Sequence, residues 1–189
     1  MIEYRIHGRG GQGSVAAAYL LAATAFNAGW NCQAFPAFGA ERRGAPVAAF
    51  VRVDKAPIHL RSQIRSPDIL IVQDDTLLQD VKITSGLKPD GAMLVNSVHA
   101  SEEIAAQFGF RCMSIDATAM AMARIGRPIP NTALLAALLV LTGQFPLKAL
   151  STALEERFHG DVLEQNLALI AHAAKAVPEG LWAKEPSDA

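Results

Sequence analysis

The chain has 189 residues, with 17 lysines and arginines against 18 aspartates and glutamates, a formal net charge of −1. That balance argues against a nucleic-acid groove or an anionic membrane as partner, and the length suits one domain with a real core. Hydrophobic residues make up 51% of the chain but aromatics only 6%. The apolar content is therefore mostly alanine, leucine, valine and isoleucine, which suits closely packed helices in an α/β layer protein and also surfaces meant to be covered by partners. The two cysteines, Cys32 and Cys112, fall short of the roughly four thiolates that an iron–sulfur cluster needs. The N-terminus has no apolar signal region, and the longest apolar run, Ala133 to Leu141, is far short of the ~20 residues that span a bilayer. The expectation is a soluble, cytoplasmic protein with two free thiols.

Ile2, Tyr4 and Ile6 alternate with Glu3, Arg5 and His7, the period-2 pattern of a strand with one face buried. Gly8 to Gly13 follow. Ser14 then reads as the cap of a helix that runs to Ala28 and stops at Gly29. A strand is expected at about Asn31 to Phe35, and another from Val47 to Val53 after a loop with no helix, so part of the sheet reads as antiparallel. "PDILIVQDD" contains a strand left at Asp74 and Asp75, with an N-cap as the better reading of these acids. "GAMLVNS" is the next strand, Ser101 opens a helix, and "RCMSIDAT" runs from a strand into a helix over Ala117 to Ile125. This order implies βαβ units in a three-layer α/β/α sandwich, Rossmann-like, with a mostly parallel, partly mixed sheet and a helical C-terminal third.

That last third carries expected helices at about Thr132–Thr142, Leu147–Phe158 and Asp161–Val177, separated by Gly143, Pro146 and Gly160. Leu163, Leu167, Ile170, Ala174 and Val177 fall at 4-3-4-3 spacing and read as one apolar stripe packed on the sheet. Residues 1–178 form a single domain in this reading, and 179–189 a flexible tail.

Gly8-x-Gly10-Gly11-x-Gly13 fits G-x-G-x-x-G between a strand and a helix, the setting in which a backbone approaches a phosphate. A dinucleotide fold also needs an acid at the end of the second strand for the ribose. The stretch Ala34 to Phe38 has none, so an NAD reading loses its second signature, while Arg42 and Arg43 leave a 2′-phosphate reading open. The bland alternative is that the glycines only permit a tight turn and close helix–sheet contact. Arg9 and Gln12 between the glycines favour function, since both can donate to an anion or a partner. In "FPAFGAERRGAP", two prolines, two glycines and two arginines exclude a regular element and make a shaped loop whose arginines could face a phosphate, a carboxylate or a partner chain. Asn131 and Thr132 after "GRPIP" read equally as helix cap or site group. The five histidines (His7, His59, His99, His159 and His172) show no ligand spacing, and neither a nucleophile elbow nor a Walker lysine is present. No residue reads as catalytic or metal-binding.

"HGRGGQG", "AFPAFGAERRGAPVAAFVRV", "RSPDILIVQD", "VNS", "IDAT" and "GRPIPNTALLAAL", in this order from Met1 to about Ala171, resemble the gamma subunit of 2-oxoacid:acceptor oxidoreductases, the pyruvate:ferredoxin oxidoreductase group. The one departure is Ala40, where a proline is expected. The resemblance implies a gamma-type domain that is inactive alone and belongs to an anaerobic complex converting a 2-oxoacid and coenzyme A to acyl-CoA and carbon dioxide. It implies alpha, beta and delta-type partner subunits, with thiamine diphosphate on alpha and beta and iron–sulfur clusters on beta and delta. Ferredoxin, or NAD through a further subunit, is the acceptor. The "ERRGAP" form resembles chains of pyruvate, branched-chain or aryl 2-oxoacid enzymes. For this chain the resemblance implies help in holding coenzyme A through Gly8, Arg9, Gly10, Gly11, Gln12 and Gly13, then Arg42 and Arg43, with Asn131 and Thr132 third. The rival readings are a free-standing NAD(P)-linked oxidoreductase and a purely structural interaction module.

Overall fold

A computed structural model describes residues 1–37 and 44–183. The strands are β1 (Ile2–Arg9), β2 (Asn31–Pro36), β3 (Pro46–Asp54), β4 (Ile69–Val72), β5 (Ala92–Asn96) and β6 (Arg111–Ile115). The helices are α1 (Ser14–Asn27), α2 (Ser101–Phe108), α3 (Ala117–Ile125), α4 (Asn131–Thr142), α5 (Leu147–Glu155) and α6 (Gly160–Ala174), with two short 3-10 turns at Asp75–Gln79 and Val81–Thr84. The strands form one six-stranded sheet in the order β2-β3-β1-β4-β5-β6. β1, β4, β5 and β6 run parallel, whereas β3 is antiparallel to both β1 and β2. The mixed sheet expected from the helix-free loop before Val47 is therefore present.

Period 2 sorts the residues of β1. Tyr4 and Ile6 join the larger core under α1, α3, α4, α5 and α6, together with Val51 and Val53 of β3 and Ile69 and Ile71 of β4. Glu3, Arg5 and His7 point to the other face, where Leu70, Val72, Met93 and Val95 pack under α2 and the 3-10 turns. α4 is buried from Asn131 to Leu139, as expected of a helix that is apolar all round.

Three expectations are corrected. Ser14 does not cap α1: the cap is Gly13 in the left-handed region (φ 79°), and Ser14 is the first helical residue. In α6 the buried residues are Asn166, Leu169, Ile170 and Ala173, with Leu163 and Leu167 at their margin. α6 packs on α4 and α3 rather than on the sheet, because α4 already fills the layer beneath it. The chain also stays packed beyond residue 178. Trp182 is only 6% exposed, and the amides of Gly180 and Trp182 donate to the carbonyls of Val140 and Leu141. One large apolar ring outweighs the polar composition around it. Among the described residues no helix is long and apolar enough to cross a membrane.

Candidate functional site

β1 leads through α1 towards β2 on one side, and its neighbour β4 leads towards β5 on the other. The carboxyl ends of β1 and β4 are therefore a topological switch point, the place where open α/β sheets bind ligands. A cavity of about 890 Å³ opens there, within the ~300–1,000 Å³ usual for small-molecule sites. Its walls include Gly11, Gln12 and Gly13 from the glycine loop, Gln73, Asp74 and Asp75 after β4, Thr118 in α3, and Asn131 and Thr132 at the start of α4.

A buried polar network forms the floor. The Gln73 side chain accepts from the Ser14 hydroxyl at 2.7 Å and donates from Nε2 to Asn131 Oδ1 at 2.5 Å. Asn131 Nδ2 donates to the Gly13 carbonyl at 3.1 Å. The Asn96 amide donates to the Gln73 carbonyl at 2.9 Å and to the Thr118 hydroxyl at 2.8 Å. The first turns of α1, α3 and α4 are thus tied to the ends of β4 and β5. The first turns of α1 and α4 border one space with Thr118, whereas the leading amides of α3 are taken by Asn96 and Asp116, and a satisfied network of this kind holds its members rigidly. Asn131 is not a cap; the cap position is Pro130. The Thr132 hydroxyl donates to Asn166 Oδ1 at 2.8 Å.

The glycines divide their work. A Cβ on Gly8 would stand 2.3 Å from Ser14 Oγ and 2.7 Å from Gln73 Oε1, and one on Gly13 would stand 2.9 Å from Asn131 Nδ2. Both are needed for close helix–strand approach, which is the bland reading. Gly11 is different: its φ is +95° and a Cβ there would meet nothing within 4 Å, so its backbone faces the open cavity.

Arg9 and Gln12 are committed within the protein. Gln12 Oε1 accepts from the Arg9 amide at 2.6 Å and Nε2 donates to Asp74 at 2.6 Å, while the Arg9 guanidinium donates to the Thr76 hydroxyl and the Gly44 carbonyl. They brace the loop instead of reaching outward. Burial works against the charge of Asp74, yet hydrogen bonds from Thr76 and Gln12 and the charge of Arg9 hold its carboxyl below the usual range. Asp74 also caps the first 3-10 turn through the Thr76 amide, as expected. Gly10 exchanges backbone hydrogen bonds with Gly44 and Ala45, at 3.0 and 2.8 Å, so the two loops that the sequence separates by some thirty residues meet. Arg42 and Arg43 lie outside the described residues.

Sequence reasoning passed over Gln73, Asn96, Thr118 and two further wall residues, Arg127 and Arg157. Gln73 stood at the end of a readable strand, but its importance depends on β4 lying beside β1. The end of β2, where a dinucleotide fold keeps its ribose acid, is separated from β1 by β3, so even an acid there would stand away from the loop. Cys32 and Cys112 sit on β2 and β6, opposite edges of the sheet, and cannot meet. Burial and the charge of Glu102 push the Cys112 thiol up to about 12.

A cleft at the switch point of an open, doubly wound sheet is the mark of the α/β ligand-binding domains. Residues 3–176 match the pyruvate ferredoxin/flavodoxin oxidoreductase family. The chain belongs to that family, as a gamma-type subunit of a 2-oxoacid oxidoreductase complex. It is 48% identical over 166 residues to the pyruvate synthase subunit PorC of Methanocaldococcus jannaschii, covering 88% of this chain and 91% of that one. It is 46% identical over 169 residues to the common gamma subunit of the pyruvate/ketoisovalerate oxidoreductases of Pyrococcus abyssi, with the same coverage. The crystal structure of the pyruvate oxidoreductase subunit PORC of Thermotoga maritima superposes with a TM-score of 0.82 at 38% identity, covering 92% of this chain and 95% of that one. The 2-oxoglutarate:ferredoxin oxidoreductase of Magnetococcus marinus, solved with 2-oxoglutarate, coenzyme A and succinyl-CoA bound, shares the fold at a TM-score of 0.77 and 21% identity. The match covers 99% of this chain and 33% of that one.

Proposed function

We propose that this subunit holds coenzyme A in the switch-point cavity for an enzyme that oxidises pyruvate, a branched-chain or an aryl 2-oxoacid. In this reading the thiamine diphosphate and iron–sulfur clusters belong to alpha, beta and delta-type partners, and ferredoxin or an NAD-linked subunit takes the electrons. The observation that carries it is the convergence of the first turns of α1 and α4 on one cavity of cofactor size. Helix N-termini attract anions, and coenzyme A brings a pyrophosphate and a 3′-phosphate. Gly11 lets the backbone come close, and in this reading Arg43, outside the described residues, supplies a positive charge to the phosphates. The chain acts by positioning a thiol donor, with redox chemistry left to its partners.

The test is steady-state kinetics on the assembled complex carrying Gly11→Ala or Arg43→Ala. The first adds a methyl group towards the cavity at a positive φ, and the second removes a cationic side chain. Each raises the apparent KM for coenzyme A about ten- to a hundredfold and leaves that for the 2-oxoacid nearly unchanged. Assembled variants with wild-type dependence on coenzyme A would overturn the reading.

A further inference from the structure

Of the arginines among the described residues, Arg5, Arg9, Arg52, Arg111 and Arg124 donate hydrogen bonds to protein groups. Arg61 and Arg65 lie in the exposed segment between β3 and β4, away from the cavity. Arg127 and Arg157 alone both line the cavity and carry guanidinium groups with no hydrogen bond or ion pair to the described residues. The acids of the same wall do not answer them, because Asp74 is held by Gln12, Thr76 and Arg9, and Asp75 accepts from the Ser97 hydroxyl at 2.7 Å.

Both arginines sit on stiff supports. Arg127 follows Gly126, the left-handed cap of α3, and precedes Pro128 and Pro130, and its carbonyl accepts from the Ile129 amide at 2.9 Å. Arg157 stands in the tight junction between α5 and α6, its amide donating to the Leu154 carbonyl at 3.0 Å, with its guanidinium over the Phe158 ring. Fixed φ at two prolines and a helix-to-helix turn limit the backbone freedom that anion binding would otherwise have to remove. Ile129 and Phe158 line the same cavity and offer apolar surface to a base.

We infer that Arg127 and Arg157 hold the 3′-phosphate of coenzyme A, so that these two lining residues select the 3′-phosphorylated nucleotide while the glycine loop takes the pyrophosphate. The inference rests on the proposed coenzyme A site and adds its specificity. Guanidinium groups without protein partners are suited to a phosphate monoester, which offers three acceptor oxygens and nearly two negative charges.

The experiment measures binding of coenzyme A and of 3′-dephospho-coenzyme A by calorimetry to the purified complex, wild type and with R127Q, R157Q and both together. The wild type is expected to prefer coenzyme A by about ten- to a hundredfold, and the double variant to bind the two within about threefold, with dephospho-coenzyme A affinity little changed. R127K combined with R157K should keep part of the preference, which separates lost charge from lost folding. A double variant that binds coenzyme A with its preference intact overturns the inference and leaves the coenzyme A site standing. A wild type that binds neither compound overturns both.

Discussion

The two faces of the sheet are built differently. On the helix-covered face, Tyr4, Ile6, Val51 and Ile71 share a core with the apolar body of α4 and the alanine-rich side of α1, and stability there is a matter of packing. On the other face, the half formed by β1 and β3 carries charge. Arg52 is 2% exposed and donates to Glu3 at 2.7 Å, Arg5 donates to the carbonyls of Ile83 and Ser85, and His7 is largely buried with Nε2 unpaired. The difference shows why the switch-point cavity can be rigid. Its helices are anchored by close-packed residues, whereas the charged side chains of β1 and β3 point to the other face of the sheet.

The contrast is tested most strongly at Arg52. Arg52→Ala leaves the half-buried Glu3 carboxylate unpaired and should cost about 4 kcal/mol, while Glu3→Leu with Arg52→Met should restore most of it, as for other buried pairs. Urea unfolding measures both, and a double variant as unstable as the single one would show that the pair does more than compensate its own burial. Next comes Leu138→Ala in α4, which empties a fully packed site and should cost about 3 kcal/mol. Unlike Arg52→Ala, it should show the same loss at low and high salt.

The smallest effect is that of pH. Burial, then the positive charge of Arg5, lowers the His7 pKa from 6.5 to about 4, with Asp80 partly opposing. Because the unfolded chain binds the proton more readily, the stabilisation from neutral His7 is complete above about pH 6.5 and is lost as pH falls towards 4. A tenfold difference in proton affinity between the folded and unfolded chains is worth ~1.4 kcal/mol. Up to about 3 kcal/mol should therefore disappear across that window, measured by denaturant midpoints at fixed salt. His7→Gln should flatten this part of the profile, and an unchanged slope would assign it to other groups.

Much of this was legible locally. The alternation in β1, the loop-to-helix switch at the glycines and the bounds of α3 follow from side-chain period and capping chemistry, which act over a few residues. The motif order also carried the family. The stripe in α6 was misplaced by about one position, because its partners are α3 and α4 and no local signal says which side they occupy.

Local pattern was thus enough for the elements, the α/β class and the glycine loop that marks the site. What that loop faces came from the folded chain alone. β1 and β4 are some sixty residues apart, and their pairing, with His7 opposite Val72, is what brings Gln73 against Ser14 and Asn131 against Gly13. The docking of α4 and α6 likewise brings Arg127 and Arg157 into the lining of one cavity. Such meetings depend on strand order and layer packing, which sum weak preferences over the whole chain and leave no trace at the residues that meet.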